Sequence, residues 1–540
     1  MYKKILSDFS AGVNYALAPL QLGLDSAKTQ WAHGLNVEIF SQKGVCRQNG
    51  NRLLTRTPQN VGVTSVYTFI PAANPSAKKI LYSAADGGFY EYDVQTGVHN
   101  KLLADLSVEK PCIYAAYLGG VAVCNGVDEP FFYQGDPNGL AGTICDMNTV
   151  AKDGVAPIIP TAMCAFKSRL WLAQGETLYY SALGMYDDWQ TPADAGYISN
   201  FHCDNAPVTA LKPYKDYIAI YKPDQTYLLA GTSPDDFAVV PFADKGAASA
   251  NAVVTAANKQ FFFSDALFCL EQTGILAQIT LGSEASLKIK PVLNNDSSNL
   301  TTLKDSTGAA FQVGGALDKL RLPALCALAY EPKNQLWFYI PTQNNPHLNN
   351  VWIYDWVNQA WFLRGLPQPV SCAANYGEQI ISATSDGRIL LEDSSNTFDG
   401  TPITFEWKSP FLTLGEPNSR KLIDDFYLLI SDTVDNNFNF RAYKDYDSLD
   451  AQDHEVISVS NSHNLVWAHE NSQGGFVCWA DEAAPSGSIS FSQRWASPCE
   501  TAQKLDVSLA NLAVQFCIFG SRAEQNFALL ALEFKEISTQ

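Results

Sequence analysis

The sequence predicts an all-β fold, and three observations carry that reading. Of the 540 residues, 12% are aromatic and only 17% charged, a balance suited to pleated surfaces on which aromatic and β-branched side chains pack. Helical periodicity is scarce, with a turn or two expected only over Asp25 to Leu35. Short apolar runs separated by turn signals recur along the chain, which is the pattern of hairpins and meanders.

The clearest unit is LYSAADGGFYEYDVQTG, Leu81 to Gly97. Asp86-Gly87-Gly88 supplies the positive φ angles of a tight turn, FYEYD alternates, and Thr96-Gly97 turns the chain again. Related runs follow at Phe131 to Gly135, Glu176 to Leu183, Gln225 to Gly231, Asp265 to Gly274, Asn350 to Trp361 and Ser385 to Asp393. Anchored on Tyr90, Phe132, Tyr179, Tyr227, Phe268, Trp352 and Ile389, their spacings are 42, 47, 48, 41, 84 and 37 residues. A period of this size with several short strands per unit is the signature of a β-propeller, and residues 61–400 have room for six to eight blades. The spacing of 84 reads as two periods or as one plus an insertion, for which the polar stretch Leu293 to Ala310 is the candidate. The Gly-His and Trp-Asp marks of the best-known propeller class are absent. A β-sandwich or solenoid with incidental spacing is the alternative that the pattern leaves open.

The flanks differ. Residues 1–60 mix Gly, Asn and basic residues and suit an N-terminal arm and closing strand. Residues 401–540 lose the period, and runs such as Leu422 to Ser431, Asn437 to Tyr443 and Asn526 to Ile537 suggest a separate β-sandwich-like domain.

Net charge is −19, and residues 401–540 carry 9 Lys/Arg against 19 Asp/Glu, a net −10 in a quarter of the chain. Tight nucleic-acid binding needs clustered Lys and Arg, so this composition argues against it. The opening MYKKILSDFSAGVN has two lysines without an apolar stretch behind them, so no signal peptide is expected, and no run is long enough for a membrane span. Twelve cysteines scattered without a CxxC are expected to be reduced thiols. A chain of this length buries roughly three quarters of its unfolded surface and needs no staple.

Catalytic signatures are missing: no GxSxG, P-loop, HExxH or GxGxxG after a strand occurs. His202-Cys203-Asp204 is the nearest approach to a ligand set, but neighbours on a strand point to opposite faces. The acidic run holding Asp445, Asp447, Asp450 and Asp453 lacks the Gly at position six and Glu at position twelve of an EF-hand, where Asp450 and Val456 stand. Asp86-Gly87 and Ser385-Asp386-Gly387 approach a sialidase Asp-box but read better as hairpin turns. Trp171, Trp189, Trp337, Trp352 and Trp361 are assigned to blade cores in preference to a sugar platform. No catalytic, cofactor-binding or metal-ligating residue is assigned, and no enzyme is expected.

Several segments together resemble the tail nozzle, or packaged-DNA stabilisation, proteins of short-tailed bacteriophages. In Phe9 to Gly50, Gly12, Asn36-Val37, Gly44, Arg47 and Gly50 occupy places comparable to that family's opening motif, with Val13 replacing its usual second Gly. FKSRLWLAQGETLYYSALGMYDDW (Phe166 to Trp189), DYIAIYKPDQTYLLAGTSPDDF and NQLWFYIP with NVWIYDWVNQAWF resemble its blades. WKSPFLTLGEPNSRKLIDDFYL resembles the start of its post-propeller domain. The resemblance implies a structural virion protein made in the bacterial host cytoplasm and forming a homo-oligomeric ring, a hexamer, in the tail. Its implied partners are head-to-tail adaptor or collar proteins and tail fibre or tailspike proteins. Genomic DNA would pass through the lumen without tight binding, along acidic loops of residues 401–540 such as Asp424-Asp425 and Asp445 to Asp453. The runner-up function is a carbohydrate-binding or glycan-cleaving propeller that recognises a host surface.

Overall fold

The computed structural model describes residues 2–539 apart from 23–27, 42, 73, 137–139, 152–153, 155, 200–205, 274–277, 295–299, 305–307, 344, 416–417, 432–433, 446–450, 460–464, 468–478, 482–499 and 506–508. The chain divides into two compact units: residues 49–359 with 364–401, and residues 1–48 with 360–363 and 402–540.

In the first unit, successive antiparallel sheets follow one another along the chain. The first blade is Val63–Phe69, Lys79–Ala84, Phe89–Asp93 and Val98–Leu103. Blades two to seven begin with Ile113–Tyr117, Ala162–Phe166, Ala210–Tyr214, Val253–Ala256, Cys326–Tyr330 and Val370–Tyr376. The seventh takes its fourth strand, Gly50–Arg56, from the N-terminal side of the sequence, paired antiparallel to Arg388–Ser395. Gly50 has to be glycine there, because a Cβ would lie 2.0 Å from the Thr397 carbonyl oxygen.

Contacts between neighbouring blades run all the way round. Ser65 bonds the Tyr114 hydroxyl at 2.7 Å, and Tyr117 donates to the Ser168 carbonyl at 2.8 Å. Lys222 meets Glu176 at 2.7 Å, and Tyr221 donates to Gln260 at 2.7 Å. Phe263 packs on Phe338, Tyr330 donates to Asp393 at 2.8 Å, and Ser371 donates to the Val63 carbonyl at 2.6 Å. The circle therefore closes on seven blades among the described residues.

All seven anchors of the sequence period lie on third strands, from Tyr90 in Phe89–Asp93 to Ile389 in Arg388–Ser395. The spacing of 84 is one period plus an insertion, and the inserted stretch includes a hairpin, Thr301–Lys304 with Ala310–Val313. At the turn between the second and third strands of blade one, Gly87 takes φ +71° while Gly88 does not have positive φ. The Asp86 carboxylate accepts the Gly88 N–H at 2.9 Å and so holds the turn.

Among the described residues the second unit holds two large sheets and a two-stranded pair, Leu465–Trp467 with Trp479–Asp481. One large sheet contains Val37–Phe40, Gly44–Arg47, Ala528–Thr539, Lys421–Ser431 and Glu500–Leu505. The other large sheet contains His33–Leu35, Phe405–Lys408, Val514–Gly520, Asn436–Lys444 and Ala451–Val459. Phe426 of the first stacks on Phe516 of the second at 4.6 Å, so apolar faces meet as in a sandwich. Residues 1–48 supply strands to both large sheets of this unit. The helical turn expected over Asp25 to Leu35 lies earlier, at Pro19–Leu22, and His33–Leu35 is a strand paired with Phe405–Lys408. Proline at the first position suits a helix start, whereas His33–Leu35 is captured by its sheet partners. No helix among the described residues is long and apolar enough to cross a membrane.

Candidate functional site

His202-Cys203-Asp204 lies outside the described residues, as do Asp447 and Asp450. Asp445 accepts the Leu512 N–H at 2.6 Å, which is a loop-closing bond. Asp424, Asp425 and Asp453 are placed on strands, Asp453 opposite Ala442, with their side chains outside the description. Trp171, Trp189, Trp337, Trp352 and Trp361 are all at most 2% exposed, so they form core and offer no platform to a sugar. Asp86 and Asp386 sit in hairpin turns, where Asp386 pairs with Arg388 at 2.8 Å.

The structure also buries two ion pairs inside the propeller. Glu91 accepts from Lys79 at 2.8 Å, from the Tyr133 hydroxyl of blade two at 2.7 Å and from the Gly142 N–H at 2.8 Å. Arg364 meets Glu392 of blade seven at 2.6 Å, donates to the Asn49 carbonyl and stacks over Trp337 and Phe398. Each pair is at most 2% exposed and tied to further partners beyond the ion pair, so both act as clasps between segments and not as reactive groups. A signal was present in the sequence, since Lys79, Glu91 and Glu392 are charged residues within apolar strands.

The second unit holds a buried titratable cluster. His33 lies 3.6 Å from the Glu406 carboxylate through Nε2 and 3.1 Å from the Tyr15 hydroxyl through Nδ1. Lys408 pairs with Glu406 at 2.9 Å, and the Cys517 thiol donates to the same carboxylate at 3.5 Å. Burial pushes the thiol well above its ordinary range, with Glu406 adding to the rise, and burial pushes His33 down against the pull of Glu406. A nucleophilic cysteine needs thiolate character and a base in contact. Here the thiol is held protonated and bonds a carboxylate instead of the imidazole, so the cluster is structural.

Concave space also lies where the first strands of several blades converge. One cavity of about 320 Å³ is bordered by Ser65, Cys112, Tyr114, Cys326, Ser371 and Cys372. Burial raises the thiols of Cys112, Cys326 and Cys372, the middle one to about 11, so none is a ready nucleophile or metal ligand at neutral pH. A second cavity, of about 480 Å³, is bordered by Tyr67, Thr68, Lys212, Asn251, Leu328 and Ala374, among others. Nine cysteines among the described residues are free thiols, and the described residues include no group of three or more His, Cys, Asp or Glu able to hold a metal.

The geometry defines an all-β protein whose run of four-stranded antiparallel sheets forms a β-propeller. No protein-family profile matches the chain, and no curated protein matches it significantly. Among solved structures it is similar to the computationally designed Ika8 protein, at 13% identity over 64% of this chain and 99% of that one, with a TM-score of 0.37. U3-55K (9% identity, 64% and 98% covered) and the RRP9 WD40 repeats (8%, 64% and 99%) have the same TM-score of 0.37.

Proposed function

We propose that this chain is a structural protein of a short-tailed bacteriophage tail, a nozzle or hub subunit whose copies form a ring around the DNA path. The observation that carries this reading joins sequence to structure. Of the segments that resemble the tail nozzle family, Phe9 to Gln48 and Trp407 to Leu428 belong to one unit, where Phe9 packs edge-on against Trp407 at 5.5 Å. Asn36 of that opening motif donates to the Thr404 carbonyl at 2.7 Å. The residues of the resemblance are thus packing residues of one shared domain.

DNA would run between copies, in a ring closed by heterologous contacts. An acidic wall lets a polyanion slide, where a basic wall would hold it. Like charges around an axis repel, and physiological salt screens them over about 8–10 Å, so salt or docking onto a collar would favour assembly. Adaptor or collar proteins and tail fibres or tailspikes are the partners of such a ring.

Light scattering with low-resolution micrographs tests the proposal. Six copies of a 59.1 kDa chain amount to about 355 kDa, and rings of that order are expected at moderate salt or on a collar. A monomer or dimer under every condition, including in the presence of virion collars, would overturn it. Gel shifts at about 150 mM salt should show no sub-micromolar duplex affinity. Reversing Asp424, Asp425 and Asp445 to lysine should leave rings intact but impair DNA passage; normal passage would place these acids off the lumen.

A further inference from the structure

We infer that the larger of these propeller cavities is a binding site for a small organic oxyanion, with Lys212 as its cationic anchor. Lys212 stands on the first strand of blade four, and its half-buried side chain borders the cavity. It makes no ion pair or side-chain hydrogen bond among the described residues, although thirteen other Lys and Arg side chains there are within reach of a carboxylate. No Asp or Glu borders this cavity in a chain of net charge −19.

Two further donor residues border the same cavity without a protein partner for a side-chain hydrogen bond among the described residues. Tyr67 stacks on Tyr114 at 5.0 Å but bonds nothing through its hydroxyl, and the Asn251 side-chain amide is likewise unengaged. Tyr67 and Asn251 are half-buried, so their donors are open to a ligand entering the cavity. An ammonium taken from water without a counter-charge is costly, and burial accordingly pushes Lys212 below its ordinary pKa, opposed by Cys164. An oxyanion beside Lys212 would restore the charge balance. Val66, Val253, Leu328 and Ala374 supply apolar wall for the body of the ligand. A volume of about 480 Å³ falls within the usual range for small-ligand sites. This inference concerns the propeller alone and stands apart from the tail assembly.

Calorimetric titration of the full chain with benzoate, phenyl phosphate and neutral benzyl alcohol at constant ionic strength tests it. Saturable binding of at least one oxyanion is expected, weakened tenfold or more in Lys212→Met and tenfold or more for benzyl alcohol. The tighter oxyanion identifies a carboxylate or a phosphate head. No saturable oxyanion binding, equal binding by Lys212→Met, or benzyl alcohol binding as tightly as the anions would overturn the inference. Should Lys212→Met not fold, NMR of the wild-type chain with ¹³C-dimethylated lysines decides. The signal missing from Lys212→Arg should titrate below the other lysines and move up when ligand is added; an ordinary, ligand-insensitive titration would refute the site.

Discussion

Replacing Glu91 by leucine is expected to loosen blades one and two far more than the small change in volume suggests. The fully buried carboxylate accepts from Lys79, Tyr133 and Gly142, and leucine leaves all three donors without this acceptor at once. Breaking a buried ion pair on one side costs about 3–5 kcal/mol, because the surviving charge stays desolvated. Each orphaned neutral donor adds about 1–3 kcal/mol, less than additively within one network. The lower figure of about 3–5 kcal/mol corresponds to roughly 150- to 5,000-fold in a local opening constant. Cys124 reports on that opening, being 2% exposed on Gly120–Cys124, the strand that pairs Val121 with Tyr133. Where reclosing outpaces labelling, its rate with a thiol reagent follows the opening constant, with Cys269 of blade five as reference. Glu91→Gln keeps an acceptor oxygen and should accelerate labelling less. Adding Lys79→Met to Glu91→Leu removes the stranded charge and should recover part of the loss. A rise below tenfold in Glu91→Leu, or a double variant no slower to label than the single one, would refute the reasoning.

Gly50→Ala should lower the propeller's stability by about 1–3 kcal/mol, since the added Cβ meets the Thr397 carbonyl. Limited proteolysis should then cut near residues 50–61 first, and an unchanged melting temperature would count against the closing-strand role. His33 is held below its ordinary pKa by burial, so the unfolded chain takes up that proton first. Stability of the second unit should be full above about pH 6.5 and decline as pH falls below it, and His33→Gln should flatten that slope in a pH series of melting curves. Melting should be insensitive to EDTA and to reductant at neutral pH, given free thiols and the lack of a ligand cluster among the described residues; a fall of several degrees with either would be incompatible with this.

The blade period was legible because each third strand carries an aromatic or aliphatic residue at a matching place, and all seven anchors fall there. The same strands concealed what lies between blades. FYEYD alternates as though half of it faced water, yet Phe89, Tyr90, Glu91 and Tyr92 are all buried. Neighbouring blades cover a middle strand on both faces, so polarity there marks a paired group and not an exposed one. Composition could suggest that Glu91 was unusual, but only the arrangement of blades brings Lys79 and Tyr133 to it.

What the sequence determined by itself was local: strand content, turn positions, the repeat, and the absence of familiar catalytic spacings. Those properties depend on residues within a few positions of one another, where φ preferences and side-chain alternation act directly. Three features were decided only by tertiary structure. Gly50–Arg56 closes a blade more than 300 residues away in sequence, residues 1–48 complete the sheets of 402–540, and Lys212, Tyr67 and Asn251 border one cavity from separate blades. Each joins segments that share no local pattern, because long-range pairing is selected by the complementarity of whole surfaces, and no single stretch of chain records that.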